Sequence, residues 1–190
     1  MNFHVNHRLL LAVAGLSYFG LTLMIAIVPA LQMQSTLPLP NAHKLSKAEL
    51  RGRAIYKKEG CGYCHTQFVR NLPMDQPYGR PSVAGDYARE RPPMLGTQRT
   101  GPDLSNVAAR QPSDVWHLIH LYNPRAVVPQ SVMPGYPWYF EVKDKAGDAD
   151  TVVPVPSEFG PSGGKVVVAR KPAQDLVKYL LTLRQTELRP

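Results

Sequence analysis

The sequence predicts a mainly α protein with one N-terminal transmembrane helix, followed by a small domain of short helices, long loops and a small β-hairpin. Three observations predict it. Residues 9–31 form an apolar run with only Ser17 and Thr22 polar, Ser46 and Glu49 stand as a capping box ahead of a helical stripe, and Leu176, Tyr179, Leu180 and Leu183 form a second amphipathic stripe near the end. At 190 residues the chain has room for one domain and a few extras, not for an elaborate multidomain enzyme.

The apolar run carries no charge, and at about 1.5 Å per residue it extends about 35 Å against a hydrocarbon core of about 30 Å. A cleaved signal peptide would have a shorter apolar region ending at a small-x-small site, which Pro29-Ala30-Leu31-Gln32-Met33-Gln34 does not offer. The run therefore reads as an uncleaved anchor within residues 1–33. Its lead-in holds His4, His7 and Arg8 and no acid, so the positive-inside rule puts the N-terminus in the cytoplasm and the following domain in the periplasm. Residues 34–45, with Pro38, Pro40 and Asn41, read as a stiff linker, and residues 46–190 as the domain.

The formal charge of +8 comes without a nucleic-acid motif and with the basic residues spread along the chain, which argues against a nucleic-acid partner. The densest stretch is Lys44, Lys47, Arg51, Arg53, Lys57 and Lys58. It suits an acidic redox partner, an anionic membrane surface or a solvated helix face equally well.

Within the domain, the capping box and Leu50, Ala54 and Ile55 predict a helix over 47–58 that Gly60 ends. Five prolines between Pro73 and Pro93 forbid long regular elements over 68–101, which reads as a wrapped functional loop. Ser113 caps a second helix with Val115, Leu118, Ile119 and Tyr122 on its inner face, stopped by Pro124. Residues 151–155 and 165–169 are β-rich runs around a Gly-Pro-Ser-Gly-Gly turn, and Pro172 opens the C-terminal helix.

Cysteine occurs only in Cys61-Gly62-Tyr63-Cys64-His65, and this C-x-x-C-H spacing is that of covalent haem attachment. Two thiols one turn apart meet the two vinyl groups on one porphyrin edge, and the adjacent imidazole reaches the iron. A disulfide, a thioredoxin-like pair or half of a zinc site explains fewer of the five positions. The predicted cofactor is one haem c, held by Cys61 and Cys64 and ligated by His65. A short helix that delivers the motif at its C-terminal end is the arrangement of class I cytochromes c.

Electron transfer calls for a second axial ligand, and Met thioether sulfur raises the potential relative to a second His. Met24, Met33, Met74, Met94 and Met133 are the methionines to weigh, with His117 and His120 as imidazole alternatives. Met133 is favoured because in class I cytochromes the Met arrives on a loop well downstream. Thr100-Gly101-Pro102-Asp103-Leu104 resembles the segment that lies over the histidine side of the haem, where the Pro102 carbonyl takes the His65 Nδ1 proton. Arg70, Arg99, Tyr136 and Trp138 are candidate partners for the haem propionates.

Beyond the motif, the chain resembles the membrane-anchored monohaem subunit, subunit II, of cbb3-type cytochrome c oxidases. The resemblance rests on residues 60–70 around the haem motif, 78–86 (Tyr78-Gly79-Arg80-Pro81 onward), 99–104, 114–125 (ending Tyr122-Asn123-Pro124-Arg125) and 128–138 (with Val132-Met133-Pro134-Gly135). It implies a haem that takes electrons from another cytochrome c and passes them to the low-spin b haem of a catalytic haem-copper subunit, where oxygen becomes water. It further implies that His65 and Met133 ligate the iron, that residues 82–85 pack on the catalytic subunit, and that a calcium ion lies near that contact. Catalysis then belongs to the complex, with no catalytic residue in this chain. Two departures stand out: residues 141–171 match nothing in that pattern, and Phe68 replaces a common Met. Competing readings are an electron-entry subunit of a nitric oxide reductase-like complex, a free-standing anchored shuttle, and a haem-based gas sensor.

Overall fold

A computed structural model describes residues 5–40 and 42–186. The first four residues, including the His4 used to orient the anchor, the linker residue Asn41 and residues 187–190 lie outside the described part. The apolar run forms α1, His7–Met33, a 27-residue helix long and apolar enough to cross a membrane, with none of its apolar window buried in the protein. Its middle, Leu23–Ile27, widens into a π-helical turn. Pro29 is the physical cause, because it has no N–H for the turn before it and its ring crowds that turn's carbonyl.

The helix α2, Lys47–Lys58, has the predicted bounds. Ser46 Oγ accepts from Glu49 N at 3.4 Å while Glu49 Oε2 accepts from Ser46 N at 2.6 Å, so the box satisfies two otherwise orphaned donors. Two further helices follow, the four-residue α3, Val107–Arg110, and α4, Asp114–Tyr122, where Ser113 Oγ accepts from Trp116 N. The inner face of α4 differs from the predicted stripe: Leu118, Ile119, Leu121 and His117 are buried, while Val115 is exposed. His117 can turn inward because its Nε2 meets the Gln111 carbonyl at 2.9 Å.

The C-terminal helix α5, Lys171–Leu180, buries Leu176, Tyr179 and Leu180 as its stripe predicts, and Leu183 just beyond it. It crosses α2 so closely that a Cβ on Gly52 would stand 1.9 Å from the Asp175 carbonyl oxygen. Only glycine permits that approach. The crossing is filled by Tyr56 and Tyr179, edge to face at 5.6 Å between ring centroids, and both are buried.

The predicted hairpin is one half of a three-stranded antiparallel sheet. Strands β1 (Phe140–Lys143), β2 (Val152–Val153) and β3 (Val166–Ala169) lie in the order β1-β3-β2, with Val152 opposite Val168 and Phe140 opposite Ala169. The unbroken Val-Val-Val-Ala run of β3 suits its central place, and its last three residues are buried. The segment read as an insertion, 141–171, thus adds Val153, Val167 and Ala169 to the same core that holds Leu118 and Leu176.

Candidate functional site

Gly60, with φ +70°, takes the left-handed turn that ends α2, and Cys61–Tyr63 form a single 3-10 turn. Backbone bonds Cys64 N to Cys61 O at 3.2 Å and His65 N to Cys61 O at 2.9 Å fold Cys61, Cys64 and His65 into one tight turn. Both cysteines are free thiols, with Cys64 exposed and Cys61 half-buried. Burial pushes the Cys61 thiol up to about 11, a rise its own backbone partly offsets.

The His65 ring is fixed from behind by its Nδ1 contact with the Pro102 carbonyl at 2.8 Å. A carbonyl only accepts, so Nδ1 carries the proton and the Nε2 lone pair is left for another partner. Burial keeps the ring's pKa below its ordinary value, which favours the same neutral tautomer. Gly101 lies against the ring, and a Cβ there would come within 2.3 Å of Cε1. The neighbouring backbone is stitched to the motif by Gly101 N to Cys64 O (2.9 Å), Thr97 N to Gly62 O (3.1 Å), Gln67 N to Leu95 O (2.9 Å) and Leu104 N to Thr66 O (2.8 Å).

Two buried carboxylates hold this loop. Asp103 accepts from Thr66 Oγ1 at 2.6 Å, Phe68 N at 2.8 Å and Ser105 N at 2.8 Å. Asp75 accepts from Arg70 through N, Nε and Nη2 and from Arg99 through both Nη atoms, and the Arg70 and Arg99 guanidiniums hold its carboxyl well below the usual range. Arg99 also donates to Thr66 Oγ1 and the Phe68 carbonyl. The two arginines assigned by sequence to the haem propionates are thus engaged with Asp75, and Arg99 commits every guanidinium nitrogen within the loop. Sequence reading missed Asp75 and Thr66, whose only sequence trace is an acid flanked by two arginines in an otherwise aperiodic stretch. Phe68, the departure noted above, contributes its backbone to this network and leaves its side chain 41% exposed.

The second loop, between α4 and β1, is held by Arg125, whose Nη1 donates to Ser131 O at 3.2 Å and Met133 O at 3.4 Å. Val132 points out, 78% exposed, and Met133 is half-buried against the core. Of the other methionines weighed, Met94 also packs on the core, whereas Met24, Met33 and Met74 are exposed. Tyr136 is buried beside Cys61, and Trp138, half exposed, stands edge-on to it at 5.4 Å. Of the imidazole alternatives, His117 has its carbonyl partner, while His120 stacks on Trp116 with its Nδ1 buried and unpartnered. Burial, followed by the nearby His117 and His65, lowers the His120 pKa to about 4.

Two free thiols on one turn, an adjacent imidazole with an available Nε2 and a glycine cradle against that imidazole make a donor set that fits a haem, with Met133 half-buried against the core. Among the described residues no group of three or more His, Cys, Asp or Glu comes together as a cage for a bare metal ion. The arrangement is a candidate haem site on a chain whose N-terminal helix is long and apolar enough to cross a membrane. The family model for the cytochrome c oxidase mono-heme subunit, FixO, matches residues 3–162, and the chain belongs to that family. It is thus a monohaem subunit of a cytochrome c oxidase, which implies one haem and a catalytic oxidase partner. The match runs through β1 and β2 and so takes in residues 141–162 of the segment that sequence reading set apart. No curated protein matches the chain.

Proposed function

We propose that this chain is the electron-entry relay of a cbb3-type oxidase, carrying one haem c on a class I cytochrome c-like domain in the periplasm. The observation that carries the reading is the His65–Pro102 bond at 2.8 Å, beside two free thiols, because it leaves the imidazole in the one tautomer that presents Nε2 to a metal. Cys61 and Cys64 would hold the porphyrin edge as thioethers, and His65 and Met133 would be the axial ligands. The bound haem would supply a one-electron redox couple. The protein's part is to fix the imidazole through Pro102, exclude water with the core around Tyr136 and Leu104, and keep the loop rigid through Asp75 and Asp103.

Electrons would arrive from another cytochrome c and leave for the haem-copper subunit that reduces oxygen to water. The family match supports an oxidase over a nitric oxide reductase, a shuttle or a gas sensor. The anchor and its basic lead-in support a periplasmic domain. A calcium ion at the contact made by residues 82–85 would draw ligands from the partner subunit.

Replacing Met133 with His is expected to keep the haem attached and lower its midpoint potential by on the order of 0.1 V, read by spectroelectrochemical titration. An unchanged potential means that the sixth ligand is another residue, with Met94 next. Purification in mild detergent is expected to recover a haem-copper subunit with the chain, and recovery of the chain alone overturns the oxidase assignment.

A further inference from the structure

The segment that leaves the membrane is bonded to the domain. Leu39 N donates to Gly85 O at 3.3 Å, and the Leu39 side chain packs against Gly85. Between this segment, the 86–91 loop and residues 182–186 lies a groove of about 640 Å³. Thr36 lines it three residues after the last residue of α1, so the groove opens at the level of the lipid headgroups, a layer about 6 Å deep on each face of the hydrocarbon core. Leu39, Leu45 and Leu183 give it apolar walls.

Its charge is one-sided. The lining carboxylates are answered from outside the lining, Asp86 by Arg80 (2.5 Å) and Glu90 by Arg53 (3.7 Å). The lining cations Lys44, Arg89, Arg91 and Arg184 are exposed and make no ion pair among the described residues, and of these Arg184 donates to the Ala108 carbonyl at 3.1 Å. On α2, Arg51 and Arg53 are paired with Asp175 and Glu90. The groove's own unpaired charges are therefore all positive.

We infer that this groove is a binding site for an anionic phospholipid, with the phosphate held by Lys44, Arg89 and Arg91 and the glycerol end against the leucines. A zwitterionic lipid carries its own cation and gains little there, whereas each basic residue near an anionic lipid surface is worth several-fold in affinity. The site would set the height of the domain above the bilayer through a contact independent of the haem, so its failure would leave the electron-relay reading intact.

The test uses the full-length haem-loaded chain in mild detergent, titrated with phosphatidylglycerol or phosphatidylcholine and read by native mass spectrometry. Wild type is expected to retain phosphatidylglycerol and not phosphatidylcholine. Lys44→Gln/Arg89→Gln/Arg91→Gln is expected to weaken retention tenfold or more. A control with the same charge change outside the groove, Lys57→Gln/Lys145→Gln/Lys178→Gln, should change it less than twofold, and Arg89→Lys/Arg91→Lys should restore most of it. Unaltered haem spectra and melting temperatures show that the variants are folded. Equal loss in groove and control variants overturns the proposal in favour of diffuse charge, and full displacement by millimolar inorganic phosphate overturns it in favour of a simple anion site. If the assembled oxidase shields Arg89 and Arg91 from an arginine-modifying reagent while carrying no phosphatidylglycerol, the groove is a subunit contact and the proposal fails.

Discussion

The α2–α5 crossing and the 66–104 loop border the same haem motif, yet they are held by opposite means. The crossing is close-packed, with Gly52 against the Asp175 backbone and Tyr56 on Tyr179, and has one ion pair, Arg51–Asp175, across it. The loop has little apolar filling of its own and is organised around Asp75 and Asp103, each fully buried and each bonded to several backbone or guanidinium donors. Packing is indifferent to pH and punishes added volume, while a buried charge network tolerates surface change and fails when one partner is removed. The cysteines stand where these two constructions meet, so α2 delivers the thiols and the loop orients the imidazole.

The largest effect should come from the packed side. Gly52→Val puts a branched side chain where even a single Cβ would stand 1.9 Å from Asp175 O and 2.8 Å from Tyr179 Cβ, both on the facing helix. Neither the backbone nor a buried tyrosine can yield, so the helices must separate at a cost of about 4 kcal/mol or more. Circular dichroism melts should show a non-cooperative or strongly lowered transition, and little haem-loaded protein should accumulate. A wild-type melt would mean that the two helices do not approach this closely.

A smaller loss, with a different signature, is expected from Asp75→Asn. It leaves Arg70 and Arg99 facing a neutral amide in a buried site, at about 3 kcal/mol, and proteolysis should nick 66–104 before the helices. The acid dependence of this loop adds to that of the Arg51–Asp175 pair at the crossing, whose carboxyl is also held below its ordinary range, so wild type is compared with Asp75→Asn. The Asp75 pKa is depressed in the folded state, so below about pH 4, the ordinary range of a carboxylate, the unfolded chain binds a proton that the folded chain does not. Its contribution is therefore complete above that pH and drains away as the pH falls toward the folded value. Urea titrations from pH 6 to pH 2 should show a steep loss in wild type and a shallower one in Asp75→Asn. Parallel slopes would show that other groups carry the acid sensitivity.

What was legible in the sequence divides along the same line. Both crossing helices were readable because a capping box and a 3.6-residue stripe are local signals, and the haem motif is a spacing. Strand β1 was missed because Phe140-Glu141-Val142-Lys143 is too short to announce itself and its partner β3 begins 23 residues after it ends. The carboxylate network was missed for a related reason: Arg99 and Asp75 are 24 residues apart, and a side-chain bond across that distance has no period. That is why Arg99 was assigned to a propionate when its donors are used within the loop. Pro102 was found because its carbonyl acts from a recognisable Gly-Pro segment, whereas the Arg125 bonds that hold the Met133 backbone are encoded by no spacing.

The smallest effect tests whether the crossing depends on helix propensity or on packing. Ser46→Ala removes the acceptor for Glu49 N and loosens the return bond from Glu49 to Ser46 N, a change worth about 1 kcal/mol in an N-cap. If packing dominates, α2 stays folded against α5 because Tyr56 and its partners lie two to three turns from the cap, and the melting temperature falls by only a few degrees with cooperativity intact. Hydrogen exchange should then quicken at the first turn of α2 and remain slow at Tyr56 and Tyr179. Exchange that quickens through the whole helix would mean that the cap, rather than Gly52 and the tyrosines, is what keeps the motif-bearing end of α2 in place.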